Sequence, residues 1–262
     1  MTMKKTDYHN HTSLCRHARG MPWDYVKRAV ELGYEEIGIS DHGPLLDDFF
    51  IRMTMKEYEE VYLPALEKAL AEFKDQIKIY RGLEIEYLPN QVRHYEKLLE
   101  DLDYLILGQH FLISHGKLID VYGSLDEDHL DAYGESVVQA LESGYFRILA
   151  HPDIFLFNNQ HWNEKTETVA RRIIETAVRT ETFLEINANG FRRKKILNQD
   201  GEAVHPYPRK EFWNLVREYP GAKILIGEDN HSPEYMGDRA VRHALRFAEE
   251  LNLKVRERLF DV

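Results

Sequence analysis

Short runs of β-branched and aromatic residues alternate along the chain with longer stretches whose apolar positions recur at helical spacing, the pattern of repeated βα units around a parallel sheet. Seven strands are predicted, at 6–9, 36–40, 77–83, 104–107, 147–150, 183–186 and 223–226. After the first, Pro22 suits the opening turn of a helix and Gly33 its end, and Tyr25, Val26, Ala29 and Val30 share one face. Tyr62, Leu66, Ala69 and Phe73 mark another helix, which Pro64 should kink or restart. A further helical stretch runs through 130–141 and stops at Gly144. The segment 187–208 carries Gly190, Gly201, Pro206 and Pro208 and reads as a long polar loop, either functional or a mobile surface insertion.

No internal repeat, low-complexity tract or linker breaks this pattern, and 262 residues suit one α/β barrel, so a single domain over 1–262 is expected. Tyr62, Trp213 and Phe247, at helical spacings, read as core.

The chemistry lies in where the histidines and acids fall. His9, His42, Glu84, His110, His151, Asp229 and His231 each stand at or just beyond a predicted strand end. In a parallel barrel all those ends open on one face, so residues remote in sequence converge there. His9 and His11 are two apart, a spacing that lets same-side imidazoles reach one cation; alone, such a pair is more often ordinary surface. Ser40-Asp41-His42, Gly82-Leu83-Glu84, Gln109-His110, His151-Pro152-Asp153 and Asp229-Asn230-His231 repeat the arrangement at five more strands, which makes chance an unattractive explanation. Imidazole and carboxylate suit zinc, iron or manganese without choosing among them, and a carboxylate such as Glu84 can bridge two ions. The other histidines, His94, His115, His129, His161, His205 and His243, lack the strand-end position and are expected at the surface or in loops.

Charge and composition narrow the partners. A net charge of -11 argues against broad binding to a nucleic-acid backbone, and the 43% hydrophobic and 30% charged content is that of an ordinary globular protein. Cys15 is the only cysteine, which excludes an internal disulfide and a cysteine-rich zinc cage and fits a reducing compartment. Residues 6–19 are polar and histidine-rich where a signal peptide would be apolar, and no apolar run is long enough to span a membrane, so a cytoplasmic protein is expected. Within this acidic chain the run Arg192-Arg193-Lys194-Lys195 stands out. Arg192 is the first candidate to hold a substrate phosphate, followed by Lys194, Arg209 and Arg52, although Arg193, Lys194 and Lys195 read equally as a solvated loop tip.

His9-Asn10-His11-Thr12 with Cys15 and His17, Gly82-Leu83-Glu84, His110-Phe111-Leu112, His151-Pro152-Asp153, Glu185-Ile186-Asn187 with Gly190-Phe191-Arg192, and Asp229-Asn230-His231-Ser232-Pro233 form an ordered set over nearly the whole chain. At these residues the chain resembles the polymerase and histidinol phosphatase (PHP) superfamily, and within it the histidinol-phosphate phosphatases. The resemblance implies an α/β fold, a distorted seven-stranded, TIM-like (β/α)7 barrel with a trinuclear metal site at the C-terminal strand ends. It implies that His9, His11, Glu84 and Asp229 hold one ion, that Glu84 bridges to a second held by His110 and His151, and that His17, His42 and His231 hold a third. Where the family often has Ser-Asp-Ala-His, this chain has Glu228-Asp229-Asn230-His231, and Glu228 is expected to alter the polarity of the pocket.

The implied activity is hydrolysis of a phosphomonoester, most specifically L-histidinol phosphate in histidine biosynthesis, with two or three divalent ions (zinc, iron or manganese) lowering the pKa of an attacking water and clamping phosphate oxygens. Asp229 is the candidate to take the proton of that water, with His42 or His231 assisting the departing alkoxide. Two alternatives stand beside this: a related phosphoesterase acting on nucleotides, nucleic-acid ends or phosphotyrosine, and a metal-binding regulatory module without turnover. A substrate panel separates them. Oligomeric state is open.

Overall fold

Seven parallel strands form a nearly closed barrel in the computed structural model of the protein, which describes residues 4–46, 52–157, 161–198 and 200–260. The strands are β1 (Thr6–Asp7), β2 (Glu36–Ile39), β3 (Lys78–Ile85), β4 (Tyr104–Leu107), β5 (Phe146–Leu149), β6 (Phe183–Asn187) and β7 (Lys223–Gly227), each beside its neighbour in chain order. Helices α1 (Pro22–Leu32), α2 (Leu63–Phe73), α3 (Val92–Asp101), α4 (Leu130–Glu142), α5 (Glu164–Thr180), α6 (Lys210–Val216) and α7 (Arg239–Glu250) supply the crossovers and the outer layer. Their apolar faces bury against the outside of the sheet, with Tyr25, Tyr62 and Trp213 fully enclosed. No helix among the described residues is long and apolar enough to cross a membrane.

The ring closes without an eighth strand. At the upper rim Asn10 and Asn230 form a parallel bridge, the His11 N–H donating to the Asn230 carbonyl (2.9 Å) and the Asn230 N–H to that of His9 (3.1 Å). Below, Val255 bridges Ile224, the Thr6 hydroxyl donates to the Glu257 carbonyl, and the Leu259 N–H donates to the Tyr8 hydroxyl at 3.2 Å. This segment therefore fills the seam between β1 and β7. Leu259 and Phe260 then complete the floor of the barrel, packed with Tyr8, Tyr80, Tyr104, Ile106, Ile148, Phe183 and Leu225; the Phe260 ring stacks on Tyr80 at 4.3 Å.

Higher in the barrel the inward positions change from apolar to acidic, and two glycines make that possible. A Cβ at Gly108 would lie 2.3 Å from Oε1 of Glu84, and one at Gly227 would lie 1.6 Å from Oε1 of Glu185. The missing side chains let both glutamates lie flat across the barrel from the adjoining strands.

The helix does restart at Pro64: a five-residue π-helical stretch, Tyr58–Tyr62, gives way to α2 with Pro64 in its first turn. Two other expectations need revision. Segment 187–208 is not unstructured: a 3-10 turn, Ala188–Arg192, leads into a small antiparallel pair, Ile196–Leu197 with Ala203–Val204. His94 is buried on α3 rather than at the surface, its Nε2 bonded to the Pro44 carbonyl at 2.7 Å. A hairpin after β4, Phe111–Ser114 with Lys117–Asp120, also lay outside the predicted pattern; its two-residue turn, His115-Gly116, has positive φ at both positions (49° and 73°), as the twist of a hairpin requires.

Candidate metal centre

The chain leaves β1 and β7 at the rim so that His9, His11 and Asp229 converge, and Glu84, on the last turn of the β3 pleat, reaches them from across the barrel. His9 Nε2 lies 3.1 Å from His11 Nε2, 3.4 Å from Glu84 Oε2 and 3.8 Å from Asp229 Oδ1, and His11 Nε2 lies 3.1 Å from Asp229 Oδ1. The other oxygen of Glu84 faces a second group: Oε1 is 3.1 Å from His151 Nε2 and 3.6 Å from His110 Nε2, which are 3.3 Å apart. One carboxylate thus spans two clusters. Two of the converging residues, His151 and Asp229, have φ of 34° and 49°, a left-handed backbone that non-glycine residues seldom adopt.

The donor set fits cations. Donors sharing one zinc-sized ion in a tetrahedron stand about 3.4 Å apart, close to the spacings in both clusters. His9 Nδ1 faces a carboxylate oxygen of Glu185 at 2.8 Å and so carries the proton, which leaves the Nε2 lone pair aimed at Glu84 and Asp229. Asp229 Oδ1 is buried with no hydrogen bond, while its Oδ2 accepts from the amides of Asn187 (3.1 Å) and Asn189 (3.2 Å). Such lone pairs repel unless positive charge lies among them. Burial would lower the His9 and His11 pKa values, yet the surrounding carboxylates hold both well above the usual histidine range; burial would raise Glu84 and Asp229, yet the imidazoles hold both well below the carboxylate range.

A third grouping is looser. His17, His42 and His231 meet pairwise, with ring centroids 5.3 Å (His17 to His42) and 4.9 Å (His17 to His231) apart. The donor triples that come within 4.8 Å of one another are His11, His42 and His231, and Cys15, His17 and His231. The buried Cys15 sulfur therefore stands beside this grouping.

Orienting carboxylates, which the sequence reading left without a role, complete the centre. Glu185 fixes His9, and its Oε2 also takes the His151 N–H at 3.3 Å. Glu86 holds His110 Nδ1 at 3.0 Å and is gripped by Arg52 at 2.6 and 2.9 Å. Burial opposes its ionisation, but Arg52 and then His110 hold its carboxyl down at about 2. Asp41 stands 3.5 Å from His11 Nδ1 and accepts from the Thr12 hydroxyl.

The clusters open into a cavity of about 360 Å³, whose wall also includes Arg52, Asp120, Tyr122, Asn189 and Arg193. The basic residues proposed for substrate need correction. Arg192 turns away from this cavity: Nε and Nη2 hold Asp238 at 3.0 and 3.2 Å, Nη1 the Glu228 carbonyl at 2.6 Å, and Nη2 Asn230 Oδ1 at 3.1 Å. Its neighbour Arg193 lines the cavity instead, with Cζ 5.9 Å from the Tyr122 ring centroid. Arg209 is buried elsewhere, paired with Glu211 at 2.7 Å while its N–H bonds Asp153. Lys194 is exposed and outside the lining; Arg52 reaches the wall with its charge matched by Glu86. Glu228 does not enter the pocket: it is buried behind the rim, accepting from Tyr34, the Asn230 amide (3.0 Å) and the Gly237 N–H (3.0 Å).

Residues 7–189 match the PHP domain family model. A probable histidinol-phosphatase of Deinococcus radiodurans is 26% identical over 242 residues, covering 89% of this chain and 88% of its own. The probable phosphatase YcdX of Escherichia coli K12 is 24% identical over 245 residues, covering 90% of this chain and 82% of its own. Among solved structures, histidinol phosphate phosphatase from Lactococcus lactis subsp. lactis, complexed with zinc, L-histidinol and phosphate, shares the fold with a TM-score of 0.71 at 20% identity, over 97% of this chain and 96% of its own.

Proposed function

The chain belongs to the PHP domain family and is a metal-dependent phosphatase, and from that premise we propose that it hydrolyses L-histidinol phosphate to L-histidinol and phosphate. The observation that carries the reaction class is the division of Glu84: Oε2 turned to His9 and His11, Oε1 to His110 and His151, at the floor of a cavity with room for a small ester. The substrate rests on the name of the Deinococcus relative and on the ligands of the Lactococcus structure.

His9, His11, Glu84 and Asp229 would hold one divalent ion, Glu84, His110 and His151 a second, and His17, His42 and His231 a third, a grouping whose close donor triples also draw in His11 and Cys15. When bound, the ions supply Lewis acidity at the phosphoryl oxygens and make water nucleophilic near neutral pH. The side chains do the rest. Arg193 pairs with the phosphate at the open side of the cavity, because no carboxylate among the described residues claims its guanidinium. Asp229 Oδ1, held in aim by the two amides on Oδ2, takes the proton of the attacking water. His42 and His231, both on the cavity wall, are placed to assist the departing alkoxide. Glu185 and Glu86 keep His9 and His110 in the tautomer that presents Nε2 inward.

Steady-state hydrolysis by metal-reconstituted protein tests this, with L-histidinol phosphate beside a nucleoside monophosphate, phosphotyrosine and a simple aryl phosphate. The highest kcat/KM is expected for L-histidinol phosphate. A higher value for one of the others removes this substrate, and no turnover of any removes the reaction.

A further inference from the structure

Four carboxylates line the cavity: Glu84, Glu86, Asp120 and Asp229. Three are committed, Glu84 and Asp229 to the converging imidazoles and Glu86 to Arg52 and His110. Asp120 is different. It ends the hairpin after β4, half-buried, and its Oδ1 accepts from the Tyr122 N–H at 3.0 Å. Among the described residues no lysine, arginine or histidine lies within ion-pair distance of it, although Asp120 and Arg193 line the same cavity. Tyr122 follows Asp120 by two residues, its ring facing the Arg193 guanidinium and stacked on His110 at 5.9 Å.

An uncommitted carboxylate is an odd neighbour for a phosphate. It repels a dianion, adds to the negative charge already in the cavity, and would be better replaced by a neutral residue if the substrate were a plain phosphomonoester. It becomes useful when the substrate carries a cation near its phosphate. Arg193 and Asp120, lining one cavity, make such a pair of opposite charges. We propose that Asp120 recognises a protonated amine on the substrate, so that the site selects zwitterionic phosphomonoesters over those lacking the amine. The inference rests on the phosphatase reading above and names the class of ester the site prefers. L-Histidinol phosphate is one member: its amine sits on the carbon next to the one bearing the phosphate oxygen.

The test pairs L-histidinol phosphate with its desamino counterpart, imidazolylpropyl phosphate, on the metal-loaded wild type and on Asp120→Asn. The asparagine keeps an acceptor for the Tyr122 N–H, so the hairpin end is preserved while the charge is lost. The wild type is expected to favour the amine-bearing ester, and the variant to lower the ratio of the two kcat/KM values about 10- to 100-fold, mainly through KM of the amine-bearing ester, the worth of one charge-assisted hydrogen bond. A wild type without preference, or a variant that slows both esters equally, overturns the inference and leaves the phosphatase reading standing. Turnover of neither ester overturns both. Should the variant not fold, the N-acetylated ester on the wild type decides: capping the amine must cost as much as removing it, and an acetylated ester handled like the parent refutes the role of Asp120.

Discussion

Gly108→Ala tests whether the position of Glu84 matters as much as its identity. Gly108 has no positive φ, so alanine is allowed by the backbone and the effect is one of contact alone. The new methyl carbon would lie 2.3 Å from Glu84 Oε1, 2.6 Å from Cδ and 2.7 Å from Cγ. Reaching ordinary van der Waals separation requires a retreat of roughly 1 Å. Glu84 has little freedom to give it, being 1% exposed and faced by His9, His11, His42, His110 and His151. Overpacking should cost about 1–3 kcal/mol of stability, and a 1 Å displacement of a shared ligand about 100-fold in kcat/KM. Urea unfolding, metal content of the dialysed protein and steady-state kinetics would be measured together. The double variant with Glu84→Ala, which removes Cγ and the carboxylate from the path of the methyl, should show most of the overpacking relieved relative to the sum of the singles. A Gly108→Ala protein with normal metal content and unchanged kcat/KM would falsify the claim that Glu84 spans both clusters from a fixed position.

Other expectations follow from the same geometry. Glu185→Gln, which removes the carboxylate holding His9 Nδ1, should weaken metal binding about 10- to 100-fold in a competition titration with a chromophoric chelator, with the fold retained; unaltered affinity counts against the orienting role. Arg193→Ala should reduce kcat/KM about 10- to 100-fold, chiefly through KM, whereas Arg192→Ala should act on stability, by about 2–3 kcal/mol in urea, because it strips partners from Asp238, the Glu228 carbonyl and Asn230. The reverse pattern would mean that the two arginines have been exchanged. Asp229→Asn should abolish turnover with metal largely retained, and a near-normal rate removes Asp229 from proton transfer. Chelation should abolish activity and lower Tm by on the order of 5–10 °C, both restored by added zinc; an indifferent Tm would show that the clusters hold no ion in solution.

The strands were legible because a parallel barrel buries both faces, so each appears as a short apolar run bounded by polar residues. Their ends were less so. β3 was expected to stop at Leu83, but its pairing continues to Ile85, since Glu84 is an inward barrel position that happens to be charged. β1 was expected to reach His9, yet it ends at Asp7 as the chain bends to aim His9 and His11 at Glu84. The strand-end rule located the side chains that the structure gathers, but not the carboxylates behind them. Glu86 and Glu185 were visible as acids at alternating inward positions, and nothing local distinguishes an acid that meets a cation from one that steadies an imidazole. Arg192 and Arg193 show a sharper limit: they are adjacent, and which one faces the cavity is set by the phase of a 3-10 turn that sequence periodicity cannot supply.

The seam between β1 and β7 has a bearing on how the molecule is assembled. Its contacts join residues 251 positions apart, Thr6 to Glu257 and Tyr8 to Leu259, and the rim pair Asn10 and Asn230 is separated by 220. Loops of that length close slowly, because almost the entire polypeptide must be arranged before its earliest strand finds the flank it needs. The imidazoles and carboxylates proposed to hold the ions straddle this same junction, so an ion arriving early would meet only a fragment of that donor set. Metal uptake on the proposed residues would therefore report that the ring has shut, and would belong to the last stage of maturation rather than to nucleation.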